Sequence, residues 1–270
     1  MIYLFLLFSF VLAFVTRPLF MNLLMEGGLI QKNYQGKSIP TGMGLYIFFN
    51  LAVLWSIGYL IGLYPLQRFI LILLLAGIFS FLGFIDDLLG DEKDRGFIGH
   101  FGCLLKGRLT TGGLKALGAA VISLVVVYYV ADSISETFIS WLTLLLLTNF
   151  INLLDLRPGR ALKVFSVGLL ILFLLFWQQV EFWYLAIPLV PVLFFYFPLD
   201  LSSQAMLGDT GANLLGGILG YFVILTVGIW GEAVILFTLI VIHLYSERYS
   251  LSTLIEENMV LHWLDRLGRR

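Results

Sequence analysis

The feature that most constrains this chain is a recurring pattern of long apolar runs. Nine of them, over residues 2–15, 43–63, 69–85, 114–131, 138–154, 162–177, 182–197, 212–229 and 233–245, are divided by short polar interruptions. A helix needs roughly 20 apolar residues to cross a hydrocarbon layer about 30 Å thick, and lipid offers no partner for exposed backbone groups. Repetition of such runs predicts an all-α membrane protein, a polytopic bundle of about nine transmembrane helices. Composition agrees, with 60% hydrophobic and 12% charged residues and a mean hydropathy of +0.98. Residues 1–249 are expected to form the bundle, and residues 250–270 an amphipathic tail of the same domain.

Charge gives the bundle a sidedness. Arg17, Lys32, Lys37, Lys93, Arg95, Lys106, Arg108, Lys115, Arg157, Arg160, Lys163, Arg248, Arg266, Arg269 and Arg270 fall in alternate connections, which is 15 of the 16 basic residues. Arg68 alone lies on the other side, with Asp132, Glu136, Glu181 and Glu232. The positive-inside rule then puts the first set in the cytoplasm, the N-terminus outside and the C-terminus inside. The first 15 residues lack a basic start and a small-residue cleavage pattern, so they read as a retained span and not a signal peptide. A net charge of -1 argues against a nucleic-acid partner. The lone Cys103 excludes an intrachain disulfide and a cysteine metal cluster.

In the tail, Leu251, Leu254, Ile255, Asn258, Leu261 and Leu264 share a helical spacing, and Thr253 with Glu256 fits a capping box. One surface helix over residues 250–264 is expected, either packed under the bundle or covering a substrate.

Five polar elements fall on the cytoplasmic side. Asp86 and Asp87 end an apolar helix, where the macrodipole disfavours negative charge, so they are either a solvated helix end or the ligands of a cation. Gly208-Asp209-Thr210-Gly211 precedes an apolar run; Asp209 reads as an N-cap, and Gly208 and Gly211 can let a phosphate approach free amides. Asn149, Asn152 and Asp155 recur every three residues on one helical face, where amides either join helices or read a nucleobase or phosphate. Lys37 and Thr41 flank a helix start and can contact a phosphate. Lys115 begins a span as a membrane anchor or a phosphate ligand. Their convergence suits a reaction between a soluble diphosphate and a lipid phosphate.

In order and spacing these residues resemble the polyprenyl-phosphate N-acetylhexosamine-1-phosphate transferases, the superfamily that includes phospho-N-acetylmuramoyl-pentapeptide transferase. Pro40-Thr41-Gly42-Met43-Gly44 is similar to the family's Pro-Thr-Met-Gly-Gly, and Phe84-Ile85-Asp86-Asp87 to its Asp-Asp signature. Asn149 to Asp155 resembles Asn-x-x-Asn-x-x-Asp, and Met206 to Gly211 resembles Gly-Asp-x-Gly. The resemblance implies a multi-pass plasma-membrane enzyme in which undecaprenyl phosphate or another polyprenyl phosphate attacks the β-phosphate of a UDP-sugar and releases UMP. It further implies Mg2+, replaceable by Mn2+, held by Asp209 and Asp87. Asp86 would be a second ligand or prepare the lipid phosphate. Lys115 would contact phosphate, and Thr41, Asn152 and Asp155 would belong to the nucleotide pocket. Membrane lipids are the surrounding partner, and a homodimer is left open.

The chain departs from that pattern at three places. Leu156-Arg157-Pro158-Gly159 carries proline where the family has a second aspartate. The last loop has His243 alone, with His262 in the tail, where relatives cluster histidines. Nine spans are also fewer than the ten or eleven common among relatives. The resemblance therefore implies the acceptor chemistry and leaves the sugar open. A catalytically silent relative that binds nucleotide sugar or lipid carrier and regulates or scaffolds envelope assembly is the alternative, favoured by Pro158. A transporter would require intramembrane acids at mid-depth and an inverted repeat, and neither is seen.

Overall fold

The structure, a computed structural model, describes residues 2–90 and 110–269. The loop charges Asp91, Glu92, Lys93, Asp94, Arg95, Lys106 and Arg108, together with Cys103 and Arg270, lie outside the described residues.

The apolar runs are helical. In chain order the helices are α1 (Ile2–Glu26), α2 (Gly44–Leu60), α3 (Leu66–Leu89), α4 (Thr111–Tyr128), α5 (Ile134–Leu154), α6 (Arg160–Phe176), α7 (Val180–Ala186), α8 (Leu189–Leu201), α9 (Gly208–Thr226) and α10 (Ile229–Ser246). The tail follows as α11 (Leu251–Glu257) and α12 (Met259–Arg266). Seven segments are long and apolar enough to cross a membrane, α7 and α8 counting together as Val180–Leu201. The other two, α2 and α6, have 17 residues each. At 1.5 Å per residue such a helix reaches about 26 Å, short of the roughly 30 Å core. Of the nine expected spans, seven are thus long and apolar enough to cross a membrane, and the other two are shorter helices packed among them.

Four local expectations also change. The helix of the first run continues past Pro18 to Glu26, so Arg17 lies within α1 and not in a connection. The run over 182–197 is broken at Ile187 and Pro188, where proline cannot donate a backbone hydrogen bond. Between α1 and α2 the chain forms a small hairpin, β1 (Ile30–Lys32) and β2 (Ser38–Pro40), pairing Ile30 with Pro40 and Lys32 with Ser38. Its turn is braced by Asn33, whose Oδ1 accepts from Gln35 N at 2.9 Å and Lys37 N at 3.0 Å. Finally, the tail is two helices and not one. Ser250 caps the first, and Asn258 caps the second by accepting from Val260 N and Leu261 N, while Thr253 lies inside α11.

Helix α9 is the centre. Every residue from Thr210 to Ile224 is buried, and α2, α3, α5 and α6 pack around it. The periphery is apolar and exposed, as on α1, where Leu4, Leu7, Val11 and Phe14 point outward. A bundle facing lipid has this inverted surface, because lipid tails impose no cost on exposed leucine. Polar groups within it are paired locally: Ser140 Oγ donates to the buried Glu232 at 2.6 Å, and Thr16 Oγ1 donates to Asn50 Oδ1 at 3.0 Å.

Helices α1, α3, α5 and α8 end, and α2, α4, α6 and α9 begin, at one end of this bundle. The contacts that bring those ends together define the site.

Candidate functional site

The core of the site is the start of α9. Gly208 has φ +71, a conformation that glycine adopts without a Cβ penalty. A Cβ there would also stand 2.6 Å from Asp87 Oδ2. The freed amides of the first turn face Asp87 of α3: Asp209 N donates to Oδ1 at 2.9 Å, and Thr210 N donates to Oδ2 at 3.0 Å. Thr210 Oγ1 donates to the same Oδ2. Asp87 therefore caps α9 from another helix, the role that the sequence suggested for Asp209. Asp209 instead sits inside the first turn, its carboxylate directed at Lys115.

Lys115, in the first turns of α4, joins two acids. Its Nζ donates to Asp86 Oδ2 at 2.6 Å and to Asp209 Oδ2 at 2.7 Å. The positive partners required at the C-terminal end of α3 are thus identified: an ammonium for Asp86 and a helix N-terminus for Asp87. Such tight convergence depends on helix backbones meeting. Gly83 of α3 lies against the Asp209 and Thr210 backbone, and Gly44 of α2 against Gly211. Backbone bonds from Met206 N to Pro40 O at 2.8 Å and from Gly44 N to Leu207 O at 3.1 Å tie the entries of α2 and α9 together.

Beside this cluster lies a cavity of about 180 Å³. The hairpin forms one wall through Asn33 and Tyr34, Thr41 and Asp87 a second, and the α5–α6 loop and the α8–α9 turn the rest. Four carboxylates line it, from Asp87, Asp155, Asp200 and Asp209, and Arg157 is its one basic residue among the described residues. Burial drives the Asp155 carboxyl well above its ordinary range, and the neighbouring Asp200, Asp209 and Asp87 carboxylates push it further, against a backbone bond from Gly208. A larger cavity of about 240 Å³ is lined by Arg68, Glu181 and Leu225 and holds none of the candidate residues.

The candidate residues separate into groups. Asp87, Asp155, Thr41, Gly208 and Asp209 line the cavity, and Asp86 and Lys115 join them through Asp209. Gly211 is buried against Gly44 and Leu207 and presents no open amide face to a ligand. Lys37 is exposed in the hairpin turn and Asn149 is exposed on α5, while Asn152 is half-buried; none of the three lines the cavity. His243 is bonded to Leu239 O on its own helix at 2.7 Å. Sequence reasoning missed Asp200, Ser203, Asn33 and Tyr34. Asp200 carried a readable signal, an acid at the end of an apolar run, where charge is expensive unless used. It is 5% exposed and accepts from Gly159 N at 2.7 Å, beside Pro158.

The tail covers the same end. Arg160 Nε and Nη2 donate to the two oxygens of Asp265 at 2.9 and 3.0 Å, both side chains being almost wholly buried. Lys163 Nζ donates to Asp265 O at 2.6 Å, and Arg269 Nε donates to Pro158 O at 3.2 Å. Arg157 pairs with Glu256 at 3.4 Å while its guanidinium lies 5.4 Å from the Tyr34 ring centre.

Among the described residues, no three His, Cys, Asp or Glu side chains are arranged to enclose a metal ion. Magnesium needs fewer, since one or two carboxylates with substrate phosphates and water usually suffice. The lining satisfies that requirement: hard oxygen donors, an excess of negative charge, and an Asp209 carboxylate with only Oδ2 given to Lys115. Asp87 suits it less, because both of its oxygens already cap α9. No protein-family model matches the sequence, and no curated protein does.

Proposed function

We propose that this chain transfers a sugar-1-phosphate, of the N-acetylhexosamine type, from a UDP-sugar to a polyprenyl phosphate and releases UMP. It would do so as a divergent polyprenyl-phosphate N-acetylhexosamine-1-phosphate transferase. The observation that carries this reading is the meeting of Asp86, Asp87, Asp209 and Lys115, from three helices, beside a cavity lined by four carboxylates at one end of an apolar bundle. A polar cavity at the end of lipid-facing helices is where a soluble nucleotide and a lipid head group can meet.

An acid-rich cavity repels a diphosphate unless a cation accompanies it. Mg2+, or Mn2+ in its place, fits that need, and Asp209, whose second carboxylate oxygen is not given to Lys115, would hold it against the substrate phosphates. When bound, the ion neutralises charge on the transferring phosphoryl group. In the transfer, an oxygen of the lipid phosphate forms a bond to the β-phosphorus, the bond from that phosphorus to the bridging oxygen breaks, and UMP departs with the electron pair. The protein contributes positioning and charge. Lys115 keeps Asp86 and Asp209 from repelling each other and offers an ammonium to phosphate. Asp87 fixes the start of α9, and thereby Asp209. Thr41 contributes a hydroxyl to the cavity wall.

The reading places the site on the cytoplasmic face of the plasma membrane. There α2 and α6 also cross by leaning on their neighbours, giving nine passes with the N-terminus outside and the C-terminus inside. Reporter tags on both ends, tested for accessibility in intact cells, check this; an externally accessible C-terminus refutes it.

A silent relative that binds without turnover is favoured by one observation: the oxygens of Asp87 and one oxygen each of Asp86 and Asp209 are already paired within the protein. One assay separates the two readings. Purified protein is mixed with undecaprenyl phosphate, Mg2+ and a panel of UDP-sugars, and UMP release is followed. Lipid-dependent release with at least one sugar, abolished in Asp209→Asn, supports the transferase. Binding of nucleotide with no release from any sugar supports the silent reading.

A further inference from the structure

Two side chains in the cavity wall are buried with a hydrogen-bonding atom that has no partner among the described residues. Asn33 is 8% exposed and Ser203 is 7% exposed; Asn33 Nδ2 and Ser203 Oγ are unpaired. The Asn33 amide cannot turn over to hide this. Its Oδ1 is held by the Gln35 and Lys37 amides at 2.9 and 3.0 Å, so the Nδ2 donor is committed to the other side. Ser203 stands at the turn between α8 and α9 with φ +55, the only described non-glycine residue with positive φ. A buried, unmatched polar group is costly, and two in the wall of one cavity mark a place where a ligand supplies the match.

The lining also fixes which ligand chemistry fits. Asp155 and Asp200 both face this space as acids, which accept hydrogen bonds and, when protonated, also donate one. The ligand must therefore accept from the Asn33 amide and exchange hydrogen bonds in both directions with two acids. Hydroxyl groups do both at once. The volume of about 180 Å³ is below the roughly 300–1,000 Å³ of complete small-molecule sites, and suits one ring of a larger ligand. Tyr34 adds an aromatic wall, held by the Arg157 guanidinium 5.4 Å from its centre.

We propose that Asn33 and Ser203, with the carboxylates of Asp155 and Asp200, form a hydrogen-bonding subsite for the hydroxyl-bearing sugar ring of the donor. The proposal rests on the donor reading above and assigns sugar selection to the hairpin and the α8–α9 turn.

The test uses the full-length protein in nanodiscs and isothermal titration with UMP, a panel of UDP-sugars, and the methyl glycosides of the same sugars. Ser203→Ala removes one orphan. Asn33→Ser withdraws the amide and leaves an oxygen to brace the turn, and unchanged unfolding midpoints confirm that both variants fold. Each variant is expected to weaken UDP-sugar binding about fivefold, with UMP binding changed less than twofold. Unchanged UDP-sugar affinity in both variants, with wild-type UMP release intact, overturns the subsite and leaves the transferase standing. Equal weakening of UMP and UDP-sugar also overturns it, because the cavity then holds the nucleoside. If the wild type binds no uridine nucleotide but binds a methyl glycoside in a Ser203-dependent way, the transferase falls and the sugar subsite stands. If it binds none of these probes, both fall.

Discussion

Replacing Asp87 by asparagine separates fold from chemistry at this site. In the wild type both carboxylate oxygens receive backbone amides of α9, at 2.9 Å from Asp209 N and 3.0 Å from Thr210 N. Asparagine keeps one oxygen and puts an NH2 group where the other stood. Either orientation of the amide turns a donor toward a donor and strands one backbone N–H at the helix start. The loss is one hydrogen bond to a charged group, about 1.5–3 kcal/mol, with about 0.3–1 kcal/mol of helix-dipole attraction. Together these destabilise by about 2–4 kcal/mol. At roughly 2–4 °C per kcal/mol for a chain of this size, the unfolding midpoint should fall by about 4–16 °C. Intrinsic fluorescence of the six tryptophans during heating in detergent measures it. Asp209→Asn is the contrast, since its partner Lys115 retains Asp86 and the pair is partly exposed. It should cost under about 1 kcal/mol while eliminating UMP release. A wild-type midpoint for Asp87→Asn would falsify the view that Asp87 holds α9 in place.

Three further outcomes follow from other contacts. Gly83→Ala forces a methyl into the Asp209 backbone and should cost about 1–3 kcal/mol or more, whereas Gly228→Ala, with nothing within 4 Å of the added carbon, should unfold like the wild type; equal midpoints would remove the close α3–α9 approach. Arg160→Met leaves Asp265 buried without its bidentate partner and should cost about 3–5 kcal/mol, read as loss of protection of residues 250–269 in hydrogen exchange; full protection refutes the docking. Burial works to raise the Asp265 pKa, but its bonds to Arg160 and Arg269 outweigh that and hold it below the ordinary 3.8. A depressed acid stabilises the fold above its unfolded pKa and loses that contribution as pH falls through the folded value, so the tail should stay docked down to about pH 4 and loosen only below; undocking between pH 5 and 6 contradicts the sign.

Much of this architecture was legible because lipid leaves few alternatives: an apolar run must be helical, and acids at its end must be partnered. That logic singled out Asp86 and Asp87 and left two readings for them, a solvated helix end or a cation, where the structure supplies an ammonium and a helix N-terminus. It could not say which carboxylate meets which partner, because the choice depends on how closely Gly44 and Gly83 let α2 and α3 approach α9. The exchange of capping roles between Asp209 and Asp87 is a contact across 122 positions of sequence, beyond any local signal. Helical spacing likewise aligned Asn149 with Asp155, yet Asn149 is exposed, since Asp155 lies just past the last turn of α5 and reaches the cavity from the loop. Asn33 and Ser203 carry no pattern; only their burial without a partner identifies them. The tail broke at Asn258 because an asparagine that fits the apolar stripe is a still better cap.

The enclosure of α9 bears on how the protein is made. It is the least apolar of the seven candidate spans and by far the most buried, with glycines and Asn213 on a surface that never meets lipid once folded. A segment of this kind has little reason of its own to leave the translocon sideways into the bilayer. The helices that surround it, α2, α3, α5 and α6, are all synthesised earlier, so a receptive groove is already waiting when it emerges. Its membrane residence is thus conferred by partners, and lesions in those earlier helices should surface as failed insertion of α9 and proteolytic clearance of the nascent chain before any loss of turnover can be measured.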